Sequence, residues 1–155
     1  MEEIVIKPHH FMDIIKLYGS GIEVFVPDEK MDHDFYRVAN TVINNPDVKV
    51  RLTIAGDDIC KPCQKYRNDE CKDSLDNVPW FKRKNEYNRA LDQRLIEMCD
   101  LDQESYTAKE LCSIFFRDKV YIYKVWMEED MEVTDRRYDL FVKGAKKYLN
   151  VESYY

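Results

Sequence analysis

Glycine is nearly missing from this chain. Four glycines in 155 residues, against 13% aromatic residues, argue for an ordered, helix-rich globule and against a low-complexity or disordered protein. Long apolar runs are absent too. The opening stretch from Met1 to Pro8, M-E-E-I-V-I-K-P, lacks the basic segment and apolar core of a signal peptide, and no later run is long enough to span a bilayer. The expected location is therefore the cytoplasm, with no membrane partner. Positive charge is in deficit: 24 Lys and Arg against 30 Asp and Glu leave a net charge of -6, so nucleic acid is not an expected partner. No internal repeat is present. The length suits one domain, residues 1–150, followed by a frayed tail at 151–155.

The apolar pattern supplies the frame. Glu3 to Ile6 reads as a short strand, stopped at Lys7-Pro8 because the residue before proline is pushed out of the helical region. Pro8 suits a helix start, and Phe11, Ile14, Ile15 and Tyr18 recur at helical spacing until Gly19-Ser20-Gly21. Gly21 to Pro27 reads as a strand or an extended connection. Phe35, Val38, Ala39, Val42 and Ile43 then mark a helix capped by Asp32, and Val48 to Ala55 alternates as a strand. Two strands joined through helices would lie parallel, with the residues that follow each at one end of the sheet. Further helices are expected around Tyr87, Leu91, Leu95 and Met98, and after the capping box Thr107-Ala108-Lys109-Glu110. Val120 to Met127 reads as a strand in preference to a buried helix, and Thr134 as the cap of a last helix through Leu149. The expected fold is α+β: a small, partly parallel sheet flanked by four to six helices.

Cysteine is where the chemistry concentrates. Three of the five cysteines, Cys60, Cys63 and Cys71, fall in one loop directly after the second strand. A C-x-x-C turn aims two sulfurs at one point, and Cys71 closes on it from a short excursion. An odd cysteine count in a reducing compartment points to metal ligation or redox chemistry before disulfides. The fourth ligand is expected from His10 or His9, in the first turn of the first helix, where the helix dipole favours the neutral ring that a metal needs. Consecutive helical residues point about 100° apart, so one of the two is expected as ligand and the other as its neighbour. Asp57 and Asp58 either orient the ligating histidine or cap a turn. His33 reads as a surface residue, and Cys99 and Cys112 as small core residues. Trp80-Phe81 beside Lys82-Arg83-Lys84 reads as packed aromatics with solvated cations, since one basic triplet in an acidic chain is slender ground for nucleic-acid binding.

Three readings of C-K-P-C follow. Cys60, Cys63 and Cys71 with His10 or His9 hold an iron-sulfur cluster; or the same groups form a structural zinc site; or Cys60 and Cys63 are a thiol redox pair. The third is weakened by Asp57 and Asp58, which oppose thiolate formation, although Lys61, Lys65 and Lys72 partly offset them.

K-P-H-H at Lys7 to His10 and D-D-I-C-x-x-C at Asp57 to Cys63, followed by Cys71, resemble a small prokaryotic family, domain of unknown function 1284. The stretches L-D-Q-R-L-I-E-M and Y-T-A-K-E-L are similar to it as well, so the likeness covers most of Ile4 to Phe115. It implies iron-sulfur binding through Cys60, Cys63, Cys71 and the histidines. Iron-sulfur is thus the expected cofactor, with zinc as the alternative. Two classes of function remain open: an enzyme acting on a small-molecule substrate at an exchangeable iron, or a module exchanging electrons with a redox protein partner.

Overall fold

The structure is a computed structural model that describes residues 3–27, 34–54, 57–59, 66–67, 70–71, 84–117 and 119–151. The chain opens on strand β1 (Glu3–Ile6), whose Ile4 and Ile6 are fully buried. Lys7 stays extended ahead of Pro8, and the proline opens helix α1 (Pro8–Gly19) with its φ already helical and no N–H to leave unpaired. Phe11, Ile14 and Ile15 of α1 are buried as their spacing requires. Helix α2 (Phe35–Asn44) buries Val38, Ala39 and Val42; Asp34 occupies its N-cap position, while Asp32 and His33 lie outside the described residues. Strand β2 (Lys49–Leu52) then pairs in parallel with β1, from Glu3 opposite Lys49 to Ile6 opposite Leu52. This is the arrangement expected of two strands joined through helices.

A two-stranded hairpin follows, β3 (Tyr66–Arg67) and β4 (Glu70–Cys71), with Tyr66 opposite Cys71. Helix α3 (Lys84–Met98) leads to β5 (Tyr106–Thr107), which adds antiparallel to β2 and completes a three-stranded sheet in the order β1-β2-β5. The capping box forms as read: Thr107 N–H donates to Glu110 Oε1 (3.0 Å) and Glu110 N–H to Thr107 Oγ1 (3.1 Å), opening α4 (Ala108–Arg117). The fold is α+β with six α-helices among the described residues. No helix among those residues is long and apolar enough to cross a membrane.

Two segments depart from expectation. Val120 to Met127 is not a strand but a 3-10 turn (Lys119–Tyr121) running into α5 (Ile122–Val125). Tyr121, Ile122, Val125 and Trp126 are buried while Val120 and Met127 are exposed, a helical period that β-branched and aromatic side chains disguised. The last helix, α6 (Met131–Leu149), begins before Thr134, whose hydroxyl bonds back to the Asp130 carbonyl (3.3 Å) from inside the first turn. A third segment, Gly21 to Pro27, is a connection and not a strand, the second of its two readings. Its Phe25 is instead held by the Asn40 side chain, which accepts from Phe25 N–H (2.8 Å) and donates to Phe25 O (2.9 Å) as a neighbouring strand would. Asn40→Ala is expected to cost about 1–2 kcal/mol by orphaning both groups; urea unfolding checks it, and an unchanged midpoint would mean water replaces the amide at no cost.

α1 and α6 pack along most of their length, with Arg137 bridging to Asp13 (3.0 Å) and lying over the Trp126 ring at 4.3 Å. This packing fixes the rotation of α1, and hence which way its first turn faces.

Candidate metal centre

Parallel pairing of β1 and β2 puts the ends of both strands at one edge of the sheet, and the chain after β2 returns there. Asp58 N–H donates to Val5 O and Val5 N–H to Asp58 Oδ2, each at 2.9 Å, so Asp58 lies along the free side of β1. Asp57 is fully buried beside it. Its Oδ2 accepts from Lys7 N–H (2.8 Å) and from His10 Nδ1 (2.7 Å), and its Oδ1 accepts from Ile59 N–H (3.2 Å). Asp34 N–H reaches Ile59 O at 3.1 Å, tying the same segment to the start of α2.

His9 has a carboxylate of its own. Asp92, fully buried in the middle of α3, takes both the His9 backbone N–H and His9 Nδ1 on Oδ1, each at 2.8 Å. Its other oxygen, Oδ2, is buried with no hydrogen-bond partner among the described residues. The rings of His9 and His10 lie side by side, centroids 4.3 Å apart and planes tilted by 48°. Sequence spacing had suggested that the two imidazoles diverge; rotation about the side-chain bonds, fixed by the two carboxylates, brings them together. A carboxylate accepts only, so in the neutral tautomer each Nδ1 carries the hydrogen and each Nε2 keeps a free lone pair.

Electrostatics separates the two rings. Burial and then the neighbouring His9 hold His10 below the ordinary imidazole range, against the pull of Asp57. Burial also acts to lower His9, but the charge and hydrogen bond of Asp92 outweigh it and raise its pKa. Burial pushes Asp57 upward, yet the His10 ring, its hydrogen bond and the Lys7 N–H leave Asp57 well below the usual carboxylate range. Because His10 is neutral at pH 7, we attribute the ionised state of Asp57 there to the N–H donors from His10, Lys7 and Ile59 and not to a charged ring.

Of the expected ligands, His9 and His10 meet at this edge. Cys60 and Cys63 lie outside the described residues, and Cys71 is described through its backbone in β4. Among the described residues no group of three or more His, Cys, Asp or Glu is placed to hold a metal. Cys99 and Cys112 are buried core residues, as their positions on apolar stripes implied, and burial pushes the Cys112 thiol far up.

Comparison with family models, curated proteins and solved structures finds no match. One residue of this geometry, Asp92, was missed on sequence. Its signal was available: Tyr87, Asn88, Leu91, Asp92 and Leu95 are all buried, so Asn88 and Asp92 are polar residues one turn apart inside an apolar stripe.

Proposed function

We propose that this chain binds an iron-sulfur cluster through Cys60, Cys63, Cys71 and an imidazole from the start of α1, with zinc as the alternative occupant. The observation that carries the reading is the contact of His10 Nδ1 with fully buried Asp57 at 2.7 Å. Asp57 stands three residues before Cys60, a separation that extended chain spans in at most about 10 Å. A ligand-ready imidazole is thus tethered within a short reach of the first thiol. Further support comes from the β3–β4 hairpin, which returns the Cys71 backbone opposite Tyr66, three positions after Cys63. Bound there, a cluster would supply electron exchange or a Lewis-acid iron; the chain's part is to present thiolates, hold the imidazole neutral and fix its tautomer. A reducing cytoplasm is the compartment this reading requires, and a redox protein partner or a small-molecule substrate the partner it implies. The resemblance of Lys7 to His10 and Asp57 to Cys63 to motifs of the domain of unknown function 1284 family is in keeping with it.

Anaerobic purification followed by absorption spectroscopy and iron, zinc and sulfide analysis tests the proposal. The expected protein is brown, carries stoichiometric iron and sulfide, and loses both in the variant with Cys60→Ser and Cys63→Ser. Colourless protein with stoichiometric zinc would select the alternative. Wild-type protein that takes up neither metal would end the proposal.

A further inference from the structure

We propose that a second copy of this chain docks on the outward face of α6, the two helices running antiparallel, with the charges of each copy set against opposite charges of the other. The surface shares no residue with the candidate metal centre.

Glu132, Arg136, Asp139 and Lys143 follow one another at intervals of four, three and four residues, so at about 100° per residue they form one stripe along α6. All four are exposed, and their charges alternate acid, base, acid, base. The ordinary use of such spacing is pairing within the helix, Glu132 with Arg136 and Asp139 with Lys143. Neither pair closes. None of the four makes a hydrogen bond or ion pair with a described residue, whereas Arg137 and Lys147 of the same helix reach Asp13 (3.0 Å) and Glu23 (2.8 Å) on other segments.

The sign pattern selects the occupant. With a two-fold axis passing between Arg137 and Tyr138, Glu132 meets Lys143 of the second copy and Arg136 meets its Asp139, each contact occurring twice. A wholly acidic or wholly basic partner would be repelled at two of the four positions. Two copies of a chain with net charge -6 repel overall, and a stripe of two acids and two bases lets them meet without that penalty.

Shape agrees with charge. Val133, 47% exposed, and half-buried Leu140 form an apolar ridge beside the stripe, one heptad apart. An open groove of about 710 Å³ lies on one side of the ridge, and one of about 270 Å³, walled by Lys16, Leu17 and Ser20 of α1, on the other. A ridge bordered by grooves fits its own copy across a two-fold axis. In the antiparallel arrangement Val133 falls level with Leu140 of the second copy to within one helical turn. Exposed ion pairs contribute little each, so the charges fix direction and register while the ridge supplies attraction. The expected dimer is weak, with a micromolar dissociation constant.

Sedimentation equilibrium of the full chain from about 1 µM to about 1 mM tests the proposal. Reducing conditions keep its five cysteines from linking copies. Wild type is expected to dimerise, and less so at high salt. Arg136→Glu sets two acids against two acids across the axis, and Asp139→Arg sets two bases against two bases. Each variant alone should weaken dimerisation by about tenfold or more, with circular dichroism unchanged. An equimolar mixture of the two restores opposite charges at both contacts, so it should recover the dimer, as should the chain carrying both substitutions. Pairing within one helix predicts no such recovery. Should either variant fail to fold, Glu132→Lys and Lys143→Glu take their place with the same expectations. Wild type that stays monomeric throughout the range would overturn the proposal and leave the face to a different protein. A dimer that survives both reversals, or variants that the mixture does not rescue, would overturn it as well.

Discussion

Replacing Gly144 by alanine is expected to destabilise the fold by about 3 kcal/mol or more, at a position where the helix propensity of alanine alone would predict a gain of about 1 kcal/mol. The opposing sign makes the test sharp. Gly144 is in α6, and a Cβ there would overlap the carbonyl oxygen of Ile15 in α1 and crowd the Gly19 backbone. Gly19 faces it reciprocally, and its own Cβ would overlap the Leu140 carbonyl. Both obstacles are backbone atoms inside regular helices, so relief requires the two helices to separate along a contact that includes buried Ile14, Ile15, Phe141 and Ala145. Lys143→Ala, one residue away on the exposed side, should change stability by only a few tenths of a kcal/mol. Thermal or urea unfolding of the two variants decides the matter, and near-equal stabilities would show that α1 and α6 are free to slide.

The same contact bears on the candidate site, because α1 carries both histidines in its first turn and packs against α6.

Legibility on sequence followed the strength of local rules. Pro8 after an extended Lys7, the Thr107–Glu110 reciprocal cap and the stripes of α1 and α2 are each decided within a few residues, and all formed as read. Parallel pairing of β1 with β2 is non-local, yet it follows from the rarity of other crossovers between strands joined through helices. Val120 to Met127 failed because β-branched and aromatic residues mimic a strand, and the deciding fact, burial between α3 and α6, lies far away in sequence. The site divides in the same way. His10 and Asp57 were both suspected from local motifs, and the carboxylate's role as orienter was one of two readings; the 2.7 Å contact supports it, while the N–H bonds from Lys7 and Ile59 give Asp57 the turn-holding role as well. Asp92 is separated from His9 by 83 residues, so nothing local linked them.

Asp57→Asn is the second large effect, and it falls on stability and on the proposed centre. The carboxylate accepts from three N–H groups that belong to the end of β1, the start of α1 and the chain leading to Cys60. Asparagine offers one acceptor oxygen in place of two and presents an N–H₂ to donors, so at pH 7 the folded state should lose about 3 kcal/mol. The pH dependence follows from the direction of the shift. Asp57 is held below its unfolded pKa in the folded protein, so its stabilisation is present above about pH 4 and is lost as pH falls below that value. Wild type and variant should therefore converge in stability as urea unfolding is carried from pH 7 toward pH 3. Asp58→Asn is the matched control: its carboxylate holds Val5 N–H at 2.9 Å but touches neither imidazole. It should weaken the fold without altering the histidines, whereas Asp57→Asn should also weaken metal uptake at the proposed centre by roughly 10–100-fold through loss of the fixed His10 tautomer. A constant stability gap across that pH range would deny Asp57 its ionised role, and equal metal affinity in the two variants would reduce the contact with His10 to packing.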